Sequence, residues 1–219
     1  MRNNTGVAAA DLAPAGSETA VARGSTAALA LALTLVLMIG GCQTVPVAPA
    51  PNLGWNVRRP ALQTLERFDL NGRVAVAVGK QGFNAGLRWG QTGPVTHLAL
   101  TGPLGAGGVE VTAAHGSLSV VTSRGQRLDN AAARAELEDK LGFEPPLTSL
   151  RYWVLGVPDP GAPASVKLDP QQRLTRLDQD GWQIAYTAYM PVGAEWLPRL
   201  MTLRRAQVRV RMVVDGWQL

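Results

Sequence analysis

The sequence predicts a mainly β chain: a strongly curved antiparallel sheet or barrel of about nine to eleven strands, with two helices inserted midway. Three observations carry this. Apolar side chains recur at every second position in many short runs, glycine-containing turns separate those runs, and a single Ala, Glu and Leu-rich stretch interrupts them in the middle. Strands that are apolar on one face only must bury that face, so the sheet has to enclose either a packed core or a ligand cavity.

The elements follow in order. Residues 27–39 carry no charge and lead into Ile39, Gly40, Gly41 and Cys42, the only cysteine of the chain. An apolar stretch of that length falls short of the roughly 20 residues a membrane-spanning helix needs and fits the roughly 7–15 of a secretory signal. Two glycines directly before a cysteine form a lipobox, the pattern cut in bacterial lipoprotein precursors once the thiol is lipidated. Residues 1–41 are therefore expected to be a lipoprotein signal peptide, and Cys42 the lipid attachment site and mature N-terminus. Residues 42–65 read as the lipidated cysteine and a tether, because Pro46, Pro49 and Pro51 lie among small residues that cannot bury much. About 20 such residues reach on the order of 25 Å as a coil and about 60 Å when extended. Residues 66–219 form the expected domain.

Within it, Phe68, Leu70, Val74, Val76 and Val78 alternate with polar or small residues, and Phe83, Ala85, Leu87 and Trp89 do the same after a glycine break at 79–82. This is a hairpin pattern. Short strands at 96–101, 109–113 and 118–122 continue it as a meander. A helix is expected over 131–141, capped by Asp129 or Asn130 and stopped by Gly142, and a shorter one from the cap Ser149 to Leu155. A long loop follows. Strand character resumes at 174–177, then where Trp182, Ile184 and Tyr186 alternate with polar or small residues, around Met201 and Leu203, and through Val208, Val210, Met212 and Val214 before Trp217.

Composition limits the function classes. Without its leader the chain keeps 19 basic against 14 acidic side chains, a moderate excess that suits an anionic surface or an acidic protein partner, and a secreted chain has little access to nucleic acid. One cysteine permits no internal disulfide, and two histidines, His97 and His115, cannot assemble a histidine-rich metal site. No nucleophile elbow, zinc helix or paired Cys and His is present, so no catalytic residue, metal or cofactor is expected. His97 is expected to face outward from its strand and His115 to sit in a solvated turn, while Glu136, Glu138 and Asp139 read as a solvated helix face. The glycines around 102–108 lack the spacing of a phosphate loop. In that segment Gly102, Pro103, Leu104 and Gly105 give Leu104 no apolar neighbour, which leaves it either presented at a loop tip or folded back on the sheet.

Several motifs in order resemble the LolB family, outer-membrane lipoproteins that receive other lipoproteins from the soluble carrier LolA and insert them in the outer membrane. They are the lipobox; Asn71, Gly72 and Arg73; the run Thr101, Gly102, Pro103, Leu104, Gly105; residues 150–158 from Leu150 to Pro158; and Arg209, Val210, Arg211 and Met212 with Asp215 and Trp217. The long leader and Gly102 depart from the family's pattern. The resemblance implies an unclosed antiparallel β-barrel around an apolar cavity covered by helices, and a protruding loop whose leucine, here Leu104, puts lipoproteins into the membrane. Gln43 and Thr44 after Cys42 lack the aspartate signal for retention, so outer-membrane sorting, lipid-anchored on the periplasmic face, is implied.

On that footing Val74, Val76, Leu87, Trp89, Leu98, Leu100, Leu118 and Val120 are expected to line an acyl cavity, with Leu150, Trp153 and Val154 as its lid. The membrane-insertion loop is Gly102, Pro103, Leu104 and Gly105. A triacylated client carries on the order of 40 methylenes at about 0.8 kcal/mol each, so it cannot cross water alone. The implied partners are a LolA-like carrier, the acyl chains of client lipoproteins and outer-membrane lipid, with the protein acting as a monomer and without nucleotide. Arg151, Arg204, Arg205, Arg209 and Arg211 are candidates to steer an acidic carrier rim. The contrasting reading is a lipid-anchored envelope scaffold with a solid barrel core; a secreted hydrolase is a third.

Overall fold

The computed structural model describes residues 54–103 and 107–219. Cys42, Leu104 and Gly105 lie outside the described residues, as do the leader and residues 42–53 of the expected tether. Eleven antiparallel strands form one sheet: β1 (Arg67–Val78), β2 (Gln81–Thr92), β3 (Val95–Thr101), β4 (Gly108–Ala114), β5 (Ser117–Thr122), β6 (Arg127–Asp129), β7 (Ala164–Leu168), β8 (Leu174–Gln179), β9 (Trp182–Val192), β10 (Glu195–Arg205) and β11 (Val208–Gln218). The spatial order is β6-β5-β4-β3-β2-β1-β11-β10-β9-β8-β7. β6 and β7 do not pair with each other, so the sheet is an unclosed barrel, with the first and last strands side by side at its centre.

The central seam explains the first and last motifs. A register shift falls between Asn71 and Gly72 where β1 pairs with β11, and there a Cβ on Gly72 would overlap the carbonyl oxygen of Val213. Only glycine permits that approach. Next to it Arg73 donates to both carboxylate oxygens of Asp215, at 3.1 and 2.8 Å, on the exposed face. Trp217 packs edge-on against Phe68 with ring centroids 5.7 Å apart.

Among the described residues three helices accompany the sheet: α1 (Trp55–Gln63), α2 (Asn130–Leu141) and α3 (Leu147–Trp153). The first corrects the expectation of a tether through residue 65. α1 buries Trp55, Arg58 and Leu62, one helical face, and the Arg58 guanidinium pairs with Glu195 at 3.4 Å while donating to the carbonyls of Gln172 and Trp196. α2 and α3 lie in the connection between the two sheet edges, β6 and β7. α2 buries Ala133, Leu137 and Leu141, spaced four apart, and ends at Gly142, whose backbone is left-handed and where an added Cβ would come within 3.1 Å of Val78.

Two further expectations shift. Asp129 makes no side-chain cap bond on α2, and the Asn130 side-chain oxygen Oδ1 accepts from the Leu118 N–H at 3.2 Å. α3 starts at Leu147, two residues before the expected cap, and the Ser149 hydroxyl donates to Asp159 at 2.7 Å. The long loop after α3 contains β7, and β6 is a three-residue strand; neither was expected.

Candidate functional site

The inward face of the sheet carries two apolar clusters. The larger gathers the inward residues of β1, β2, β8, β9, β10 and β11 with Trp153, Val154, Leu155 and Val157. The smaller joins Val111, Leu118 and Val120 to the buried face of α2. Between them lies a cavity of about 80 Å³. Its floor is Val74 and Val76 of β1, Leu87 and Trp89 of β2, Leu98 and Leu100 of β3, Val111 of β4, and Val210 and Met212 of β11. Leu137 and Leu141 of α2, then Phe143 and Pro145, then Leu147 and Leu150 at α3 form its roof. Every one of these side chains is apolar.

The sequence-derived residues therefore divide. Val74, Val76, Leu87, Trp89, Leu98, Leu100 and Leu150 meet around this one cavity. Leu118 and Val120 point inward but pack under α2 in the smaller cluster, outside the cavity wall. Trp153 and Val154, both 0 % exposed, are built into the larger cluster and do not roof the cavity. Of the loop, Gly102 and Pro103 are described, and the Gly102 N–H donates to the Gly107 carbonyl at 3.2 Å, which closes the base of the β3–β4 turn. His97 is exposed, with Nδ1 3.2 Å from the Thr112 hydroxyl, and His115 occupies the β4–β5 turn with positive φ. Lys140 reaches Glu136 at 3.8 Å and Asp139 at 3.2 Å on the outer face of α2.

Polar residues missed in the sequence hold the roof and floor. Gln179, 3 % exposed, uses its whole amide: the carbonyl accepts from Trp153 Nε1 at 2.8 Å and the Asp159 N–H at 2.9 Å, while the NH₂ donates to the carbonyls of Asp159 and Ala162, both at 2.8 Å. Gln91 does similar work beneath the cavity, accepting from Trp89 Nε1 at 3.2 Å and the Thr96 hydroxyl at 2.8 Å. Both glutamines sit in phase with apolar neighbours on their strands, and that was the available signal. Arg151 spans from α3 to the carbonyls of Gly93 and Leu65 at 3.0 and 3.2 Å, so it anchors the helix internally. Tyr186 donates to the Trp153 carbonyl at 2.9 Å and Tyr189 to that of Leu174 at 2.7 Å. Burial pushes both phenols above their ordinary range, because a phenolate there would lose its water.

Beside the roof lies a groove of about 830 Å³, open to solvent, lined by Arg134 and Leu137 of α2, the 143–148 connection and Arg151, by the β4–β5 turn, and by Trp182 and Arg205 with the β10–β11 turn. Among the described residues no cluster of His, Cys, Asp or Glu could hold a metal ion, and no helix is long and apolar enough to cross a membrane.

Comparison with known proteins places this architecture. The family model described as outer membrane lipoprotein LolB matches residues 66–217. The outer-membrane lipoprotein LolB of Nitrosococcus oceani is 35 % identical over 196 residues, covering 87 % of this chain and 97 % of that protein. That of Pseudomonas putida strain W619 is 30 % identical over 193 residues, covering 86 % and 94 %, and that of Pseudomonas aeruginosa strain LESB58 is 32 % identical over 164 residues, covering 75 % and 80 %. Among solved structures, a LolA superfamily protein from Nitrosomonas europaea aligns with a TM-score of 0.49 at 9 % identity, covering 76 % of this chain and 94 % of that one. A DUF1329 family protein from Desulfovibrio piger aligns with the same TM-score at 7 % identity, over 75 % and 90 %. The family match begins just before β1 and ends within β11, taking in every strand and both roof helices, and the chain accordingly belongs to the LolB family of outer-membrane lipoproteins.

Proposed function

We propose that this outer-membrane lipoprotein accepts acylated lipoproteins from a LolA-like periplasmic carrier into the cavity beneath α2 and α3 and passes them to the outer membrane, facing the periplasm, without nucleotide or covalent chemistry. Cys42 bears the lipid that holds it there, and Gly102, Pro103, Leu104 and Gly105 form the loop that meets the bilayer. The protein acts as a monomer. The observation that carries the reading is the wholly apolar wall, where residues from five strands and two helices converge with no polar side chain among them. Hydrocarbon gains free energy in such a site in proportion to the area removed from water, and a handover from one apolar site to another needs only a small downhill step.

At about 80 Å³ the cavity is smaller than the roughly 150 Å³ that holds one benzene, so an acyl chain requires the roof to move. α2 is the part that moves. Its inner face is held by apolar contacts, which are non-directional, whereas α3 is tied by several buried or part-buried hydrogen bonds. The small volume is also what a scaffold with a solid core would have, and uptake decides between the two. A radiolabelled triacylated lipoprotein is presented on its carrier to the purified protein and then to liposomes, with wild type and Leu104→Glu compared. Uptake by both, with delivery lost only in the variant, is expected. Absence of uptake by wild type would contradict the reading and favour the scaffold.

A further inference from the structure

The groove and the cavity share a wall: Leu137, Phe143, Pro145 and Leu147 line both. A groove of mixed polar and apolar lining therefore adjoins a wholly apolar cavity across a single layer of side chains. At one corner of that layer the Phe143 ring lies 5.8 Å from the ring of Trp182. Trp182 lines the groove and is 2 % exposed, yet its indole N–H has no hydrogen-bond partner among the described residues. Such a buried orphan donor is uncommon and costly to keep. Arg205 covers the same ring, its guanidinium carbon 6.0 Å from the centroid, and forms no ion pair among the described residues. Of the three arginines that line the groove, Arg134 pairs with Glu144 at 3.4 Å and Arg151 donates to the carbonyls of Gly93 and Leu65, which leaves Arg205 as the one without a side-chain hydrogen bond or ion pair among the described residues.

A ligand fitted to this corner has to bring acceptors on its polar side and hydrocarbon on the other. We propose that Phe143, Trp182 and Arg205 form a subsite for the head of an acylated N-terminal cysteine, whose ester and amide carbonyls accept from the indole N–H and the guanidinium while the chains pass Phe143 into the cavity. The subsite deepens the transfer reading above and rests on it. Trp182 thereby distinguishes an acylated client from plain hydrocarbon, because only the former supplies carbonyl oxygens at the boundary. The peptide that follows the cysteine lies along the groove.

The test uses the mature chain, residues 42–219 with Cys42→Ser so that no acyl group of its own competes. Two probes are titrated: a synthetic tripalmitoylated cysteinyl peptide, and N-phenyl-1-naphthylamine, an apolar dye without a carbonyl. Trp182→Phe keeps a ring and removes the N–H. It is expected to weaken the lipopeptide about fivefold, the worth of one net hydrogen bond, and to leave dye binding within twofold of wild type. In wild type the Trp182 indole N–H resonance, assigned by its absence from the variant, moves downfield with lipopeptide and stays in place with dye. Equal loss for both probes, or an unchanged lipopeptide affinity with an unmoved indole signal, would overturn the subsite. If wild type binds neither probe, it is the transfer reading itself that fails.

Discussion

α2 and α3 roof the same cavity but are held by different forces. α3 and the turn after it are fixed from several directions by polar bonds, two of them buried, Trp153 to Gln179 and Tyr186 to the Trp153 carbonyl, and three part-buried, Ser149 to Asp159 and Arg151 to two carbonyls near the base of β1. α2 rests on three apolar side chains, Ala133, Leu137 and Leu141, with one part-buried polar bond at its first residue, from the Leu118 N–H to the Asn130 side chain; its ion pairs, Arg134 with Glu144 and Lys140 with Glu136, are at least partly exposed. Moving α3 would strand buried donors and acceptors, each at about 1–3 kcal/mol. Moving α2 exposes hydrocarbon, a cost that an acyl chain taken up as proposed would offset by covering the same surface. In the proposed transfer, one roof element is thus a fixed jamb and the other a leaf that an acyl chain would hold open.

The largest expected effect falls on the fixed side. Trp153→Ala removes a fully buried indole and leaves the Gln179 carbonyl short of a donor, and should lower the unfolding free energy by about 3–5 kcal/mol in urea. A loss below about 1 kcal/mol would erase the contrast. Leu137→Ala, on the mobile side, should cost about 2–3 kcal/mol, the lower part of the range for a buried leucine, because α2 can settle into the space. In hydrogen exchange its cost should appear as faster opening of α2 alone, with β9 and β10 protection little changed. Uniform loss of protection would mean that α2 opens only with the whole sheet.

A smaller effect is confined to high pH. Tyr186 and Tyr189 belong to the fixed side and keep their protons beyond the ordinary phenol range when folded. Unfolded, they ionise near pH 10. Their contribution is therefore complete below about pH 10 and is lost as pH rises from there towards the folded values, so stability falls along the alkaline limb. Absorbance titration should show these two phenolates appearing together with unfolding. Ionisation at pH 10 with the fold intact would contradict the tight packing assigned to this side.

The same contrast marks what was legible in the sequence. Strands with one apolar face announced themselves by alternation, and Val74, Val76, Leu87, Trp89, Leu98 and Leu100 were recognised as inward because β1, β2 and β3 each have one wet face. β7 escaped because four of its five residues are exposed and nothing alternates, and α1 because Pro60 and the prolines before it masked the spacing of Trp55, Arg58 and Leu62. Period two identifies a face, not the neighbour that covers it. Leu118 and Val120 are inward like the others, yet α2 lies directly on them, and Trp153 and Val154 have helical spacing yet face β8 and β9 rather than the cavity. The motifs at Gly72 and Asp215 encode a backbone approach and an ion pair across the seam joining the first and last strands, a contact that no local pattern contains.

The most direct test of α2 as the moving part is a reversible lock. A disulfide engineered between α2 and β5, in the mature chain with Cys42→Ser, is compared with one between α3 and β8, and uptake of a triacylated lipopeptide is measured before and after reduction. The account predicts no uptake by the α2-locked protein until it is reduced, and normal uptake by the α3-locked protein throughout. Full uptake with α2 locked, or loss of uptake with α3 locked, would contradict it.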